Sequence, residues 1–155
     1  MKERRNPMAQ PPDLPGTARS LPIALMRARE NIMAPIRHML ADTGVTEQQW
    51  RVLRVLAETS PLDASQVAER ACLLLPSLTR IARTMADKGL IDMAQDAQDR
   101  RRQLLAIAPE GQRILTDNHA QAVRIVEGFK ARLGNEDYEH LLDLLATLSD
   151  LPPDP

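Results

Sequence analysis

The hydrophobic period of the chain changes at Gly89, and this change constrains the fold more than any other feature of the sequence. Between residues 78 and 85 the apolar side chains recur every three or four positions, which is typical of an amphipathic helix. After Gly89, residues 90–93 and 103–107 form two short apolar runs on either side of a polar loop, a pattern that predicts a β-hairpin. The sequence therefore predicts a helix that ends at Gly89 and is followed by two strands.

Helical patterns occupy most of the remaining chain. The predicted order is helix, helix, short helix, helix, hairpin, long helix and helix, with the first helix over residues 20–40 and a kink expected at Pro35. The later helices begin at a capping box over residues 46–49, at a cap on Asp63, and at prolines in the first helical position, Pro76 and Pro109. Two short helices followed by a strand, a loop and a strand form the order of a winged helix-turn-helix. We therefore expect a mainly α (α+β) fold of that type.

Length and composition exclude several classes of protein. The chain has 155 residues, which predicts a single domain, and no apolar run approaches the roughly 20 residues of a membrane span. The N-terminus has no apolar signal-peptide segment and the single cysteine excludes an internal disulfide framework, so we expect a cytoplasmic protein. Aromatic residues make up only 2% of the chain, which argues against a module that stacks single-stranded bases.

The sequence contains no recognisable catalytic or cofactor-binding motif. There is no glycine-rich phosphate loop and no arrangement of serine, histidine and aspartate, so we expect neither an enzyme nor a cofactor.

The histidines His38, His119 and His140 lack the spacing of paired ligands, so no metal site is predicted. His119 lies on the apolar stripe of the long helix, where a hydrogen-bonded core histidine is expected. Cys72 lies in an apolar run, which predicts a buried and unreactive thiol.

The charge distribution is compatible with DNA binding although the formal net charge is −1. Residues 135–155 carry six acidic side chains and no lysine or arginine, so the other residues carry a net positive charge. Arginines and short hydroxyl side chains suit the major groove, and a loop arginine suits a narrow minor groove. The candidate DNA-binding residues are Ser77, Thr79, Arg80, Arg83 and Thr84 on the helix before Gly89, and Arg100, Arg101 and Arg102 in the hairpin loop. A solvated charged surface is the alternative for each of them.

Three stretches of the chain together match the pattern of a known family. They are Thr46-Glu47-Gln48-Gln49-Trp50-Arg51-Val52-Leu53, Leu78-Thr79-Arg80 followed by Lys88-Gly89-Leu90-Ile91, and Asp99-Arg100-Arg101-Arg102 followed by Pro109-Glu110-Gly111. With them the chain resembles the MarR family of winged-helix regulators. Within that family it is most similar to the regulators of homoprotocatechuate (4-hydroxyphenylacetate) degradation, on the stretches Ser20-Leu21-Pro22 through Arg27-Ala28-Arg29-Glu30, Glu47-Gln48-Gln49-Trp50-Arg51-Val52 and Ala68-Glu69-Arg70-Ala71-Cys72. The resemblance implies that Asp99 orients Arg101 toward DNA. It also implies a ligand-responsive regulator, expected to be a repressor, of a catabolic operon for phenolic or aromatic acids.

A homodimer that binds a pseudo-palindromic operator in double-stranded DNA is a further implication of the resemblance. The last helix supports a dimer, because its leucines are too many for a terminal helix to bury alone. The candidate dimer contacts are Leu141, Leu145 and Leu148. An intramolecular core built from the helices at the two ends of the chain is the alternative.

The same interpretation predicts how the chain is divided. The predicted parts are a disordered proline-rich arm (1–19), a helical dimerisation region (20–44 and 109–151), a winged helix-turn-helix DNA-binding region (45–108) and a short tail (152–155).

Release from DNA by a small aromatic carboxylate is also implied, and Arg29 is the first candidate to bind that carboxylate. Arg29 shares the apolar stripe of the first helix, where a charge must be paired or must reach solvent; a salt bridge across the dimer is the alternative. Trp50 is a candidate to stack on the aromatic ring, with Arg27 and Arg51 as secondary carboxylate ligands. Two other functions remain open: an architectural or redox-responsive DNA-binding protein without an aromatic effector, and a small enzyme.

Overall fold

A computed structural model describes residues 14–152 of the chain. Within them the structure has a short 3-10 turn, six α-helices and three β-strands. The helices are α1 (Leu21–Leu40), α2 (Glu47–Glu58), α3 (Ala64–Arg70), α4 (Leu75–Asp87), α5 (Pro109–Leu133) and α6 (Asn135–Ser149); the strands are β1 (Leu62–Asp63), β2 (Ile91–Gln95) and β3 (Gln103–Ile107). This is the predicted helix-rich winged fold. Most of the predicted arm and all but the first residue of the predicted tail lie outside the described residues.

The chain divides into two compact units, the first ending at Pro35 and the second beginning at Ile36. The first unit contains the 3-10 turn Thr17–Arg19 and most of α1, with apolar side chains such as Met26 and Ile32 exposed. Helix α1 continues through Pro35, and the kink expected there stays a prediction. The second unit contains the other helices and the sheet.

Capping boxes fix where helices α2 and α3 begin. Helix α2 begins with the predicted capping box, in which the Thr46 hydroxyl accepts from the Gln49 backbone N–H at 3.2 Å and the Thr46 N–H donates to the Gln49 side chain at 3.1 Å. Helix α3 has a second box, built from Asp63 and Gln66. Helix α5 begins at Pro109 without a side-chain cap, as the alanine at position 108 predicts.

The three strands form one antiparallel sheet in the order β1-β3-β2. The predicted hairpin is confirmed, but β2 begins at Ile91 rather than at residue 90. The reason is that Leu90 still takes part in the C-terminal cap of α4. Its N–H donates to the Met85 carbonyl at 2.9 Å, and Gly89 before it has φ +70°. The two-residue strand β1 was not predicted, and its Leu62 pairs with Leu105 of β3.

The core of the second unit lies between α2, α3, α4 and the sheet. Its largest fully buried side chains include Leu53, Leu78, Met85 and Leu105. The N-terminal turn of α5 approaches this core closely, since a Cβ on Gly111 would contact the Leu90 carbonyl oxygen and lie 2.8 Å from Leu53 Cδ2. The core therefore holds α4 and the hairpin in fixed positions beside α2 and α5.

Two predictions about single side chains are wrong. Cys72 is exposed rather than buried, because Ala71 ends α3 and Cys72 turns the chain with φ +53°, so that Leu73 instead packs against the core. His119 is also exposed on α5 rather than a core histidine. No helix within residues 14–152 combines the length and the apolar character needed to cross a membrane.

Candidate functional site

Helix α4 separates a buried face from an exposed basic face. Its apolar residues Leu78 and Met85 are buried in the core, so Arg80, Arg83 and Thr84 project to solvent, while Ser77 and Thr79 are half-buried. The Thr79 hydroxyl donates to the Leu75 carbonyl at 3.0 Å, and the Thr84 hydroxyl donates to the Arg80 carbonyl at 3.3 Å. Because both hydroxyl hydrogens are used within the helix, Thr79 and Thr84 can only accept a hydrogen bond from an external ligand. Arg80 and Arg83 can only donate one.

The loop between β2 and β3 carries the second group of exposed arginines. Asp99, Arg100 and Arg101 are all exposed at its tip. The Asp99 carboxylate accepts from the Arg101 backbone N–H at 3.0 Å, and the Arg102 N–H donates to the Asp99 carbonyl at 2.9 Å. Asp99 thus fixes the backbone conformation from which Arg101 projects.

Arg102 differs from the other two loop arginines because its guanidinium is bound to Asp63. Its Nε lies 2.7 Å and its Nη2 lies 2.6 Å from Asp63 Oδ2. The Gln66 backbone N–H and the Arg102 guanidinium hold the pKa of the Asp63 carboxyl below its ordinary value, and Asp63 in turn raises the pKa of Arg102. The structure therefore ties the base of the loop to the beginning of α3.

A cavity of about 620 Å³ lies between α2 and α5. One wall contains Trp50, Arg54 and Glu58 of α2, and the facing wall contains Leu115, His119 and Val126 of α5. An indole and aliphatic side chains beside cationic and acidic groups suit a small ligand with an aromatic ring and polar ends. Arg54 and His119 were missed as site residues, although Arg54 lies one helical turn after Trp50 and this spacing places both on one face.

The other effector candidates lie in different surroundings. Arg51 is half-buried, and its Nε is a buried donor without a hydrogen-bond acceptor among the described residues. Arg27 and Arg29 are exposed on α1, within the unit that ends at Pro35. Of the four predicted effector residues, Trp50 is the one that lines the cavity.

The last helix exposes a row of leucines. Leu141 is exposed, whereas Leu145 and Leu148, one and two turns further on, are half-buried. Leu142 and Leu144 are exposed as well, and so is Leu151, which follows the helix. Within residues 14–152, no group of three histidine, cysteine, aspartate or glutamate side chains is placed to hold a metal ion.

Comparison with known proteins matches residues 45–102 to the MarR family. The chain is 35% identical over 132 residues to the HTH-type transcriptional regulator FarR of Neisseria gonorrhoeae, covering 85% of this chain and 90% of FarR. It is 36% identical over 126 residues to the homoprotocatechuate degradative operon repressor of Escherichia coli, covering 81% and 85%. The chain belongs to the MarR family. It is therefore a DNA-binding transcriptional regulator that acts as a dimer, and not an enzyme.

Solved structures of regulators agree with this MarR-family fold. The structure of NadR in complex with 4-hydroxyphenylacetate has a TM-score of 0.77 and 33% identity, and the match covers 90% of this chain and all of NadR. PcaV of Streptomyces coelicolor, in complex with its natural ligand, has a TM-score of 0.79 and 25% identity over 88% of this chain and 96% of PcaV. In this MarR-family regulator, α3 and α4 form the helix-turn-helix, and the β2–β3 hairpin is the wing.

Proposed function

We propose that this regulator is a cytoplasmic repressor of an operon for the degradation of a phenolic or aromatic acid, and that the acid releases it from its operator. The observation that carries the proposal is the cavity between α2 and α5, in which Trp50 and Arg54 lie on one wall. NadR, a structural relative, binds 4-hydroxyphenylacetate, and the Escherichia coli relative represses a homoprotocatechuate degradative operon.

The DNA side of the proposal rests on the exposed basic face of α4 and on the wing. In a pseudo-palindromic operator, half-sites lie about 34–36 Å apart on one face of the duplex. Each subunit places α4 in the major groove, with Arg80 and Arg83 as donors to base edges, while Arg101 enters the minor groove. Residues 45–108 are the DNA-binding region, and residues 20–44 and 109–151 form the dimer.

The effector side of the proposal rests on the chemistry of the cavity walls. The aromatic ring of the acid stacks on the Trp50 indole. The carboxylate binds a guanidinium, because arginine offers two parallel donors to a carboxylate. Arg54 lies in the cavity wall and Arg51 has a buried donor to satisfy, so we place them before Arg29 and Arg27 as ligands. Ligand binding weakens DNA binding if it favours a separation of the two α4 helices that differs from the half-site spacing.

Release from DNA by a defined ligand tests the proposal. The probe is 4-hydroxyphenylacetate, titrated into the complex of the protein with a fluorescent duplex that wild-type protein has selected from random-sequence DNA. We expect release by the acid and none by the uncharged 4-hydroxyphenylacetamide. Arg54→Met is expected to keep DNA binding but to need at least about tenfold more acid, since a charge-assisted hydrogen bond is lost.

Two further variants make this test specific. Arg124→Met removes an exposed arginine of α5 that does not line the cavity, and it is expected to respond as wild type does. If Arg29→Ala loses the response while Arg54→Met keeps it, Arg29 is the carboxylate ligand. No release by any phenolic acid would refute the effector.

Exposed Cys72 favours a second candidate function, redox-responsive DNA binding. Cys72 lies in the turn between α3 and α4, where oxidation would alter the approach of α4 to DNA. This candidate predicts that peroxide weakens DNA binding by wild-type protein and not by Cys72→Ser.

A further inference from the structure

The three consecutive arginines of the wing do not have the same role. We infer that Arg102 is a positioning residue, which ties the base of the wing to the beginning of α3 through Asp63 and does not itself contact DNA. The inference rests on the proposed function, in which the wing tip binds DNA. It differs from the sequence-based expectation, which placed Arg102 with Arg100 and Arg101 among the DNA contacts.

The geometry at Asp63 uses both carboxylate oxygens. Oδ2 accepts from the Arg102 guanidinium through two nitrogens, at 2.6 and 2.7 Å. Oδ1 accepts from the Gln66 backbone N–H at 3.1 Å, which caps α3. Asp63 is also paired with Leu104 in the β1–β3 ladder. One side chain therefore joins a helix cap, a strand and the wing.

Arg102 is held at its backbone as well as at its side chain. Its N–H donates to the Asp99 carbonyl at 2.9 Å, and its carbonyl accepts from the Asp96 N–H at 3.0 Å. These two bonds close the wing loop. Because the loop is closed at Arg102 and Arg102 is bound to Asp63, the direction of the tip residues Arg100 and Arg101 is fixed relative to α3.

The shielded and immobilised Asp63 side chain separates this pair from an ordinary surface ion pair. The Asp63 side chain is only 13% exposed, whereas that of Arg102 is 50% exposed. Asp63 is already immobilised by the cap and the strand, so forming the pair costs the conformational freedom of one long side chain instead of two. A guanidinium that is neutralised in this way displaces few counterions from a phosphate. The wing arginines that stay available to DNA are therefore Arg100 and Arg101 at the tip.

The salt dependence of DNA binding separates a positioning residue from a phosphate contact. The probe is the duplex that wild-type protein selects from random-sequence DNA, and affinity is measured over a range of salt concentrations. Loss of a phosphate contact reduces the slope of log K against log salt by about 1 for each contact. We expect Arg102→Ala to weaken binding about threefold or more at fixed salt while the slope stays that of wild type. Arg101→Ala, the matched control at the tip, removes a cation that enters the minor groove, so it is expected to reduce the slope while leaving the Asp63 pair intact.

Asp63→Asn provides the second arm, because asparagine caps a helix as well as aspartate does but carries no charge. Any gain from removing a negative charge near DNA is measured with Asp92→Asn, an exposed aspartate of β2. Relative to Asp92→Asn, we expect Asp63→Asn to weaken binding by the same factor as Arg102→Ala. The double variant Asp63→Asn/Arg102→Ala is expected to bind no more weakly than either single variant, since both break one link.

Three results would overturn the inference. The first is a reduced slope for Arg102→Ala, which would make it a DNA contact. The second is tighter binding by Asp63→Asn than by Asp92→Asn, which would mean that Asp63 holds Arg102 away from DNA. The third is wild-type affinity for both variants. If wild-type protein selects no DNA, the proposed function fails instead.

Discussion

At the scale of single residues, the basic side chains of the second unit differ in what surrounds them. Arg80 and Arg101 are exposed, Arg102 is bound to Asp63, and Arg54 lines the cavity beside Trp50. The sequence places all of them in the correct elements, because helix periodicity and loop polarity are local properties. The Arg102–Asp63 pair joins distant segments of the chain and could not be predicted. The cavity also needs the distant helix α5, although the shared face of Arg54 and Trp50 follows from local helical spacing.

Arg80 and Arg101 are expected to contribute to DNA recognition in different ways. Arg80→Ala should lose discrimination at one operator position, worth about 1–3 kcal/mol, because a donor to a base edge is removed. Arg101→Ala should weaken binding most on sites with A/T-narrowed minor grooves. Binding to a panel of single-base operator variants at fixed salt measures both effects. Identical profiles for the two variants would contradict this division of roles.

At the scale of elements, the helices were predictable and the small sheet was only partly so. Capping residues are local signals, and Thr46 and Asp63 cap α2 and α3 as expected. Strand β1 has two residues, too few to show a period, and it exists because Leu62 pairs with a strand much later in the chain. The exposure of Cys72 follows from the turn after α3, which an apolar run of sequence does not reveal.

The two glycines within α5 are expected to respond to alanine in opposite directions. At Gly111 a Cβ would contact the Leu90 carbonyl oxygen, which belongs to the backbone and cannot rotate away, so Gly111→Ala should destabilise the protein by about 1–3 kcal/mol. At Gly128 nothing lies within 4 Å of a new Cβ. Gly128→Ala should therefore stabilise the protein by up to about 1 kcal/mol, because alanine favours the helix. Urea denaturation measures both changes, and equal effects would show that α5 does not approach Leu90 closely.

At the scale of the whole molecule, the leucines of α6 form an apolar surface that a single chain leaves exposed to solvent. Leu142 and Leu144 are 46% and 53% exposed, and Leu151, just after the helix, is 60% exposed. Monomeric proteins rarely expose large apolar patches. MarR-family regulators act as dimers, and we expect this surface to be buried between subunits. We therefore expect the exposed residues of α6 to bear on assembly and those of α4 and the wing to bear on DNA binding.

We predict that α6 holds the dimer together and that DNA binding depends on it. Leu144→Glu places a charge among the exposed leucines and should shift the protein toward monomer, because a buried unpaired carboxylate is costly. Thr147→Glu adds the same charge at an exposed threonine of the same helix, one turn from both Asp143 and Asp150, and should leave the dimer intact. Light scattering over a concentration series gives the mass of each variant, and circular dichroism checks that both are folded.

The Leu144→Glu monomer should also lose most of its affinity for a two-half-site operator while keeping weak binding to a single half-site, since the two α4 helices are no longer linked. A chain truncated after Gly134 that remained a folded dimer would instead place the interface outside α6.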